Sequence, residues 1–179
     1  MIERTIKTRI EAHLQLRKVV LLFGARRVGK TVLLKQVVQD FQGKTMSLNG
    51  EDYDVLTLME PQSIANYRRM LQGVDFLAID EAQHIPQIGQ KLKLIVDEIE
   101  GLTVMASCSS SFDLIHKAGE PLVGRSFSFN LFPFSYQELS VSENVLDTRR
   151  NLEDRLITVL IPRLSCWTTT IRRKNICVK

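Results

Sequence analysis

Gly24, Gly29, Lys30 and Thr31 fall at the spacing G-x-x-x-x-G-K-T in the run Gly24-Ala25-Arg26-Arg27-Val28-Gly29-Lys30-Thr31. Those residue types in that order suit one task, holding a chain of phosphates. The two glycines leave room for successive backbone N–H groups to curl around an anion. A helix that starts near Lys30 turns its positive end to the same place. Lys30 adds a mobile full charge at the outer phosphates, and Thr31 offers a hydroxyl to Mg²⁺. Gly24 through Val32 is therefore the expected nucleotide-contacting segment. A second constellation, Asp80-Glu81, closes the apolar run Val74-Asp75-Phe76-Leu77-Ala78-Ile79. Asp80 is placed to hold Mg²⁺ directly or through water, beside Thr31, and Glu81 to orient or deprotonate a water that attacks the terminal phosphate. A second acid at this point favours hydrolysis over transfer to an acceptor.

The elements that must position these groups are legible around them. Val19-Val20-Leu21-Leu22-Phe23 is an uncharged apolar run that reads as a buried strand, and Val32, Leu33 and Val37 repeat at helical spacing after the loop. That context argues against a chance match to the glycine pattern. Ile6, Ile10, Leu14 and Leu16 predict an amphipathic helix over Ile2 to Arg17, either packed beside the first strand or offered to a partner. Thr45-Met46-Ser47-Leu48 predicts a strand, Tyr53 to Leu71 a helical stretch in which Pro61 starts a second helix, and Val74 to Glu81 the acid-tipped strand. Ile88, Leu92, Ile95, Val96 and Ile99 form one helix face, and Leu102 to Ala106 is a further strand. Arg125 to Leu131 alternates, with Phe127, Phe129 and Leu131 on one face, and Pro133 to Ser135 leads into a short helix at Tyr136 to Leu139.

Other polar residues have two readings each. In P-loop ATPases of this layout a polar side chain at the end of the fourth strand reports on the γ-phosphate. Ser107 and Ser109 are the candidates here, and a serine in this run can equally cap the segment that begins near Phe112. Arg125 either reaches a nucleotide in its own or a neighbouring subunit, an effect worth about 10³ to 10⁵ in rate, or makes a structural salt bridge. Glu51 and Asp52 either help place Mg²⁺ or water at the carboxyl edge of the sheet or lie in a solvated turn. His84 either senses a phosphate or flanks a surface loop.

With 179 residues, 44% of them hydrophobic, the chain suits one compact domain. No apolar run approaches the roughly 20 residues of a membrane span, and Met1-Ile2-Glu3-Arg4-Thr5 lacks the character of a signal peptide, so a cytoplasmic protein is expected. Cys108, Cys166 and Cys177 have no metal-ligand spacing and are expected to stay reduced. The net charge of +4 suggests nucleic acid at first sight, but five basic residues and no acid lie in Thr158 to Lys179, which leaves a net charge of −1 up to Ile157.

With these residues placed, the chain resembles a family of prokaryotic AAA-type ATPases, a P-loop domain followed by a C-terminal domain of winged-helix and nuclease-like character. The resemblance rests on G-A-R-R-V-G-K-T at Gly24, F-L-A-I-D-E-A-Q at Phe76, S-S-S-F-D-L at Ser109, G-E-P-L-V-G-R at Gly119 and L-F-P-F-S-Y-Q-E-L at Leu131. It covers about Lys18 to Leu139 and departs at Cys108, where the family usually has glycine. It implies an α/β fold, a P-loop three-layer sandwich with a mostly parallel five-stranded sheet of the AAA/ASCE type. It also implies ATP and Mg²⁺ as ligands, hydrolysis carried by Lys30, Glu81, Ser109 and Arg125, metal held by Thr31 and Asp80, and a homo-oligomer or DNA, the latter through the C-terminal domain, as partners. The ATPase domain is expected over residues 1–157, with a helical segment at 140–157. Past Ile157 the resemblance stops. Family members continue with a tyrosine-glycine turn and Y-P-E-V. One back-translation of Ile157 to Ser165, ATT ACG GTT CTT ATC CCG AGG TTG TCC, becomes I-Y-G-S-Y-P-E-V-V once a T is restored after ATT. A single-base deletion in the gene or its recorded sequence is one reading of residues 158–179; a divergent basic binding arm is the other.

Overall fold

The computed structural model describes residues 2–109 and 122–140. The expected caps near Phe112, the segment 140–157 beyond Ser140, and Cys166 and Cys177 lie outside them. In chain order the elements are α1 (Ile6–Glu11), β1 (Val19–Phe23), α2 (Lys30–Asp40), β2 (Thr45–Asn49), α3 (Tyr53–Met59), α4 (Ile64–Met70), β3 (Phe76–Asp80), a 3₁₀ turn (Ala82–His84), α5 (Ile88–Glu98), β4 (Thr103–Cys108), β5 (Ser126–Asn130) and α6 (Tyr136–Ser140).

The strands form one sheet in the order β2-β3-β4-β1-β5, and every pairing is parallel. A parallel sheet covered on both faces needs strands apolar on both faces. The three central strands meet that need: all five residues of β1 and all six of β4 are buried, as are the first four of β3. Alternate residues of β1 feed two separate cores. Val19, Leu21 and Phe23 join Leu77, Ile79, Val104 and the α5 residues Leu92 and Ile95, while Val20 and Leu22 join Phe76, Ala78, Met105 and the α2 residues Leu33 and Val37. The result is the expected three-layer α/β sandwich. The edge strand β5 alternates as read, with Phe129 and Leu131 buried and Ser128 and Asn130 exposed.

Three local expectations are corrected. The N-terminal helix spans Ile6–Glu11 rather than residues 2–17; it ends at the Ala12 cap, and the chain turns again through Arg17 at φ 60° before entering β1. Ile10 is buried on α2, but Leu16 is 57% exposed and takes no part in the core. Pro61 does not open a helix: α3 ends at Met59, and α4 begins at Ile64 with Ser63 as its N-cap. β4 runs on through Ser107 and Cys108, two residues beyond its expected end. Among the described residues no helix is long and apolar enough to cross a membrane.

Candidate nucleotide site

Because all strands are parallel, their carboxyl ends lie along one edge, and the loops leaving β1, β2 and β3 meet there with Ser109 at the end of β4. Open α/β sheets bind ligands at this edge. The loop from Gly24 to Gly29 links β1 to α2. Its shape depends on both glycines. A Cβ on Gly24 would stand 2.5 Å from the carbonyl oxygen of Leu131, where β5 ends against the loop. Gly29, the N-cap of α2, takes φ 101°, a conformation that costs an L side chain dearly. Among the described residues no hydrogen bond to a protein acceptor is made by the backbone N–H groups of Arg26, Arg27, Gly29, Lys30 and Thr31, while Val28 closes a turn over Arg26 and Arg27. A helix always leaves its first N–H groups free; here the loop before it adds more, which is the donor set an anionic phosphate chain fits. Ala25, Arg26 and Arg27 are exposed along the loop, Val28 is buried beneath it, and Val32 is 46% exposed on α2.

Lys30 is only 4% exposed, an unusual burial for a lysine. Its Nζ donates to the carbonyls of Gly24 (3.0 Å) and Ala25 (3.1 Å) and stands 3.9 Å from Glu81 Oε1. Thr31 and Asp80 line one cleft of about 240 Å³ together with Asn49, Ser47 and Lys35. The two groups read as magnesium ligands are therefore brought to one cavity from different elements. Their donor set, a hydroxyl and a carboxylate with room for water and phosphate oxygens, suits Mg²⁺. Among the described residues no cluster of three or more His, Cys, Asp or Glu could hold a metal by itself.

The ends of β3 and β4 are wired together by side chains. Ser107 Oγ donates to Asp80 Oδ1 and accepts the Glu81 N–H at 3.2 Å. Ser107 is wholly buried, so it aims the two acids and does not face the cleft. Glu81 itself sits at φ 48°, a strained position for a non-glycine residue, which turns its carboxylate out of line with the strand. Gln83, which sequence reasoning missed, bridges the pair: its Nε2 donates to Glu81 Oε2 at 2.5 Å and to Ser109 Oγ at 2.8 Å, and its Oε1 accepts the Ser109 N–H at 3.2 Å. Ser109 thus reaches Glu81 through one intervening side chain.

Cys108, where the family usually has glycine, lies in register with Phe23 and is buried in the core. Burial, followed by the neighbouring Glu81 charge, pushes its thiol up to about 12. It is a neutral packing group at physiological pH, in line with the reduced thiol expected of it.

Arg125 is not brought to this site within the subunit. Its carbonyl accepts the Val19 N–H at the amino end of β1, the far edge of the sheet, and its Nε donates to Asp97 Oδ1 at 2.6 Å. The structural salt bridge is the observed role, and only the neighbouring-subunit version of the catalytic reading is left. Asp52 caps α3 by accepting the Asp54 N–H, and Glu51 stands 3.6 Å from His84 Nε2 on the surface. These residues take the structural alternatives set out for them.

A glycine-bounded loop between a buried central strand and a helix, with an acid pair at the end of the next strand but one in space, defines the P-loop ATPase fold of AAA type. An AAA domain model matches residues 16–140, and the chain belongs to that family. No curated protein matches the sequence significantly. Among solved structures, the fold is similar to the Walker-type ATPase PABY2304 of Pyrococcus abyssi (TM-score 0.61, 16% identity, 90% of this chain and 65% of that one). It is also similar to domain III of the Thermotoga maritima replication initiation protein DnaA (TM-score 0.56, 16% identity, 79% of this chain and 68% of that one). The chain thus spans just under two thirds of the Pyrococcus protein.

Proposed function

We propose that this domain binds ATP with Mg²⁺, hydrolyses it to ADP and phosphate, and couples that cycle to a change of shape. The observation that carries the reading is the convergence, at the mouth of one loop of unpaired N–H groups, of a buried lysine, a hydroxyl and a carboxylate on one cleft, and a second carboxylate 3.9 Å from the lysine. The free N–H groups between Arg26 and Thr31 would cradle the phosphates. Lys30, held by two carbonyls only, is free to exchange them for phosphate oxygens, a stronger charge-assisted partner. Thr31 and Asp80 would hold Mg²⁺, whose charge offsets that on the phosphate oxygens. Glu81 accepts a proton from water as the water oxygen bonds to the terminal phosphorus and the bond from that phosphorus to the bridging oxygen breaks, with ADP leaving.

Glu81→Gln tests this directly. Retained ATP binding with lost phosphate release supports the assignment; undiminished hydrolysis refutes it. A second reading has its own observation. Glu81 Oε2 is engaged by Gln83 at 2.5 Å, which restrains the base. That restraint supports little turnover, as in a nucleotide-gated binding module, for which DNA is the proposed partner. It predicts salt-sensitive DNA binding that changes with nucleotide. We place the domain in the cytoplasm and assign it residues 1–157, with residues 158–179 as a tail outside the family's pattern.

A further inference from the structure

We infer that Arg4 and Glu138 form a buried clamp that positions the phosphate loop from behind, which makes both of them positioning residues for nucleotide binding. The inference rests on the nucleotide-binding reading of that loop. The pair joins residues 134 apart in sequence, Arg4 Nε to Glu138 Oε1 at 3.1 Å, with side chains only 8% and 5% exposed. Arg4 lies ahead of the segment matched by the family model, and Glu138 lies near its end.

The rest of the guanidinium faces the loop. Nη1 donates to the carbonyl of Val28 at 3.1 Å, Nη2 donates to the carbonyl of Phe132, and the group stands 4.5 Å from the centre of the Phe134 ring. The Val28 contact sets the aim of the loop. The peptide between Val28 and Gly29 is trans, so its C=O and N–H point in opposite directions. Holding the Val28 oxygen backwards on Arg4 therefore turns the Gly29 N–H forwards. Gly29, on the far side of this peptide, is left-handed at φ 101°, a conformation glycine enters and leaves at little cost, so this peptide is one the loop must keep from flipping. The Phe132 contact fixes the other wall, since Leu131 just before it packs its carbonyl against Gly24.

Glu138 is saturated in its turn. It accepts the N–H groups of Ser135 (2.8 Å) and Thr5 (3.0 Å) as well as Arg4, and its own N–H donates to Ser135 Oγ at 3.2 Å, a reciprocal capping box at the start of α6. Burial works against its charge, and these hydrogen bonds and Arg4 outweigh that and hold the carboxyl below its ordinary range. Only an arginine fork reaches three carbonyl and carboxylate partners in fixed directions; a lysine reaches fewer.

The test uses the whole chain and two independent readouts. Arg4→Met with Glu138→Leu replaces the pair by apolar side chains without stranding either charge. The clamp predicts that this variant folds, with a lower melting temperature because the Val28 and Phe132 carbonyls and the Thr5 and Ser135 N–H groups lose these partners, and binds N-methylanthraniloyl-ADP roughly tenfold more weakly at a temperature where it is fully folded. Its KM for ATP rises in proportion while kcat stays within about twofold, because the loop holds ground state and transition state alike. Without nucleotide, trypsin cuts it faster after Arg26 and Arg27. Arg4→Lys, which keeps the charge but not the fork, falls between the two on both readouts, and it carries the test alone if the double variant does not fold. Wild-type ADP affinity together with a wild-type cleavage rate in a folded variant overturns the inference. If the wild type binds no ADP, the nucleotide reading fails, and the trypsin rates still decide whether Arg4 holds the loop.

Discussion

The two edges of the sheet carry ion pairs of different kinds, the surface pair of Glu51 with His84 at the carboxyl edge aside. At the amino edge Arg125 meets Asp97 at 2.6 Å, Arg17 meets Glu100 at 3.1 Å and Arg68 meets Glu98 at 3.4 Å, and in each pair both side chains are at least a third exposed. At the carboxyl edge Lys30 stands 3.9 Å from Glu81 and Arg4 3.1 Å from Glu138, with side-chain exposures of 3% and 20% and of 8% and 5%. The shortest of these contacts is therefore at the edge without a loop for phosphates. Exposed pairs are screened and contribute little. Buried charges cost several kcal/mol each unless fully partnered. A chain that keeps Lys30 buried with two carbonyls and a distant carboxylate is holding a charge for something else, whereas each of the three guanidinium nitrogens of Arg4 has a protein acceptor. The lesson is that saturation, more than distance, separates a group that works from a group that holds.

The sharpest way to break this contrast is Glu81→Gln, which should lower ATP turnover by about 10² to 10⁴ while leaving binding intact, measured by phosphate release and nucleotide titration. Arg4→Ala, which strands the Glu138 carboxylate in the interior, should cost about 3–5 kcal/mol in a denaturant melt. Gly24→Ala brings a methyl into the Leu131 carbonyl and should cost about 1–3 kcal/mol, with weakened nucleotide binding. Acid should expose Glu138 as well. Its folded-state carboxyl lies below the ordinary 4.5, so its contribution is complete above that value and is lost as pH falls through the lower folded value. A pH series of melts should show this loss in the wild type and not in Glu138→Gln. The smallest effect belongs to the other edge: Arg125→Ala should cost under about 1 kcal/mol and leave turnover unchanged. A loss of about 10³ or more would instead restore the neighbouring-subunit arginine.

What was readable from sequence was what is local. The phosphate loop and the Asp80-Glu81 tip announce themselves because each lies within a few residues and abuts an apolar strand. The uncharged runs marked the strands, the family resemblance implied a mostly parallel sheet, and the structure makes it parallel throughout. Arg125 could have been placed correctly from sequence too, since it precedes its strand while the loop follows β1, and parallel strands put those ends on opposite edges. Leu16 misled because helical spacing continued in the letters after the helix had ended at Glu11. The Arg4–Glu138 clamp and the Gln83 bridge were illegible for different reasons. The first joins distant residues through space, and the second depends on a left-handed turn at Glu81 that no residue type requires.

Calorimetric titration of the folded chain with Mg²⁺-ATP and Mg²⁺-ADP bears most directly on the central claim, that the loop from Gly24 to Thr31 holds nucleotide phosphates. The account predicts saturable heat at a stoichiometry of one, abolished by Lys30→Ala. Heat absent from well-folded protein, or unchanged in that variant, would contradict it.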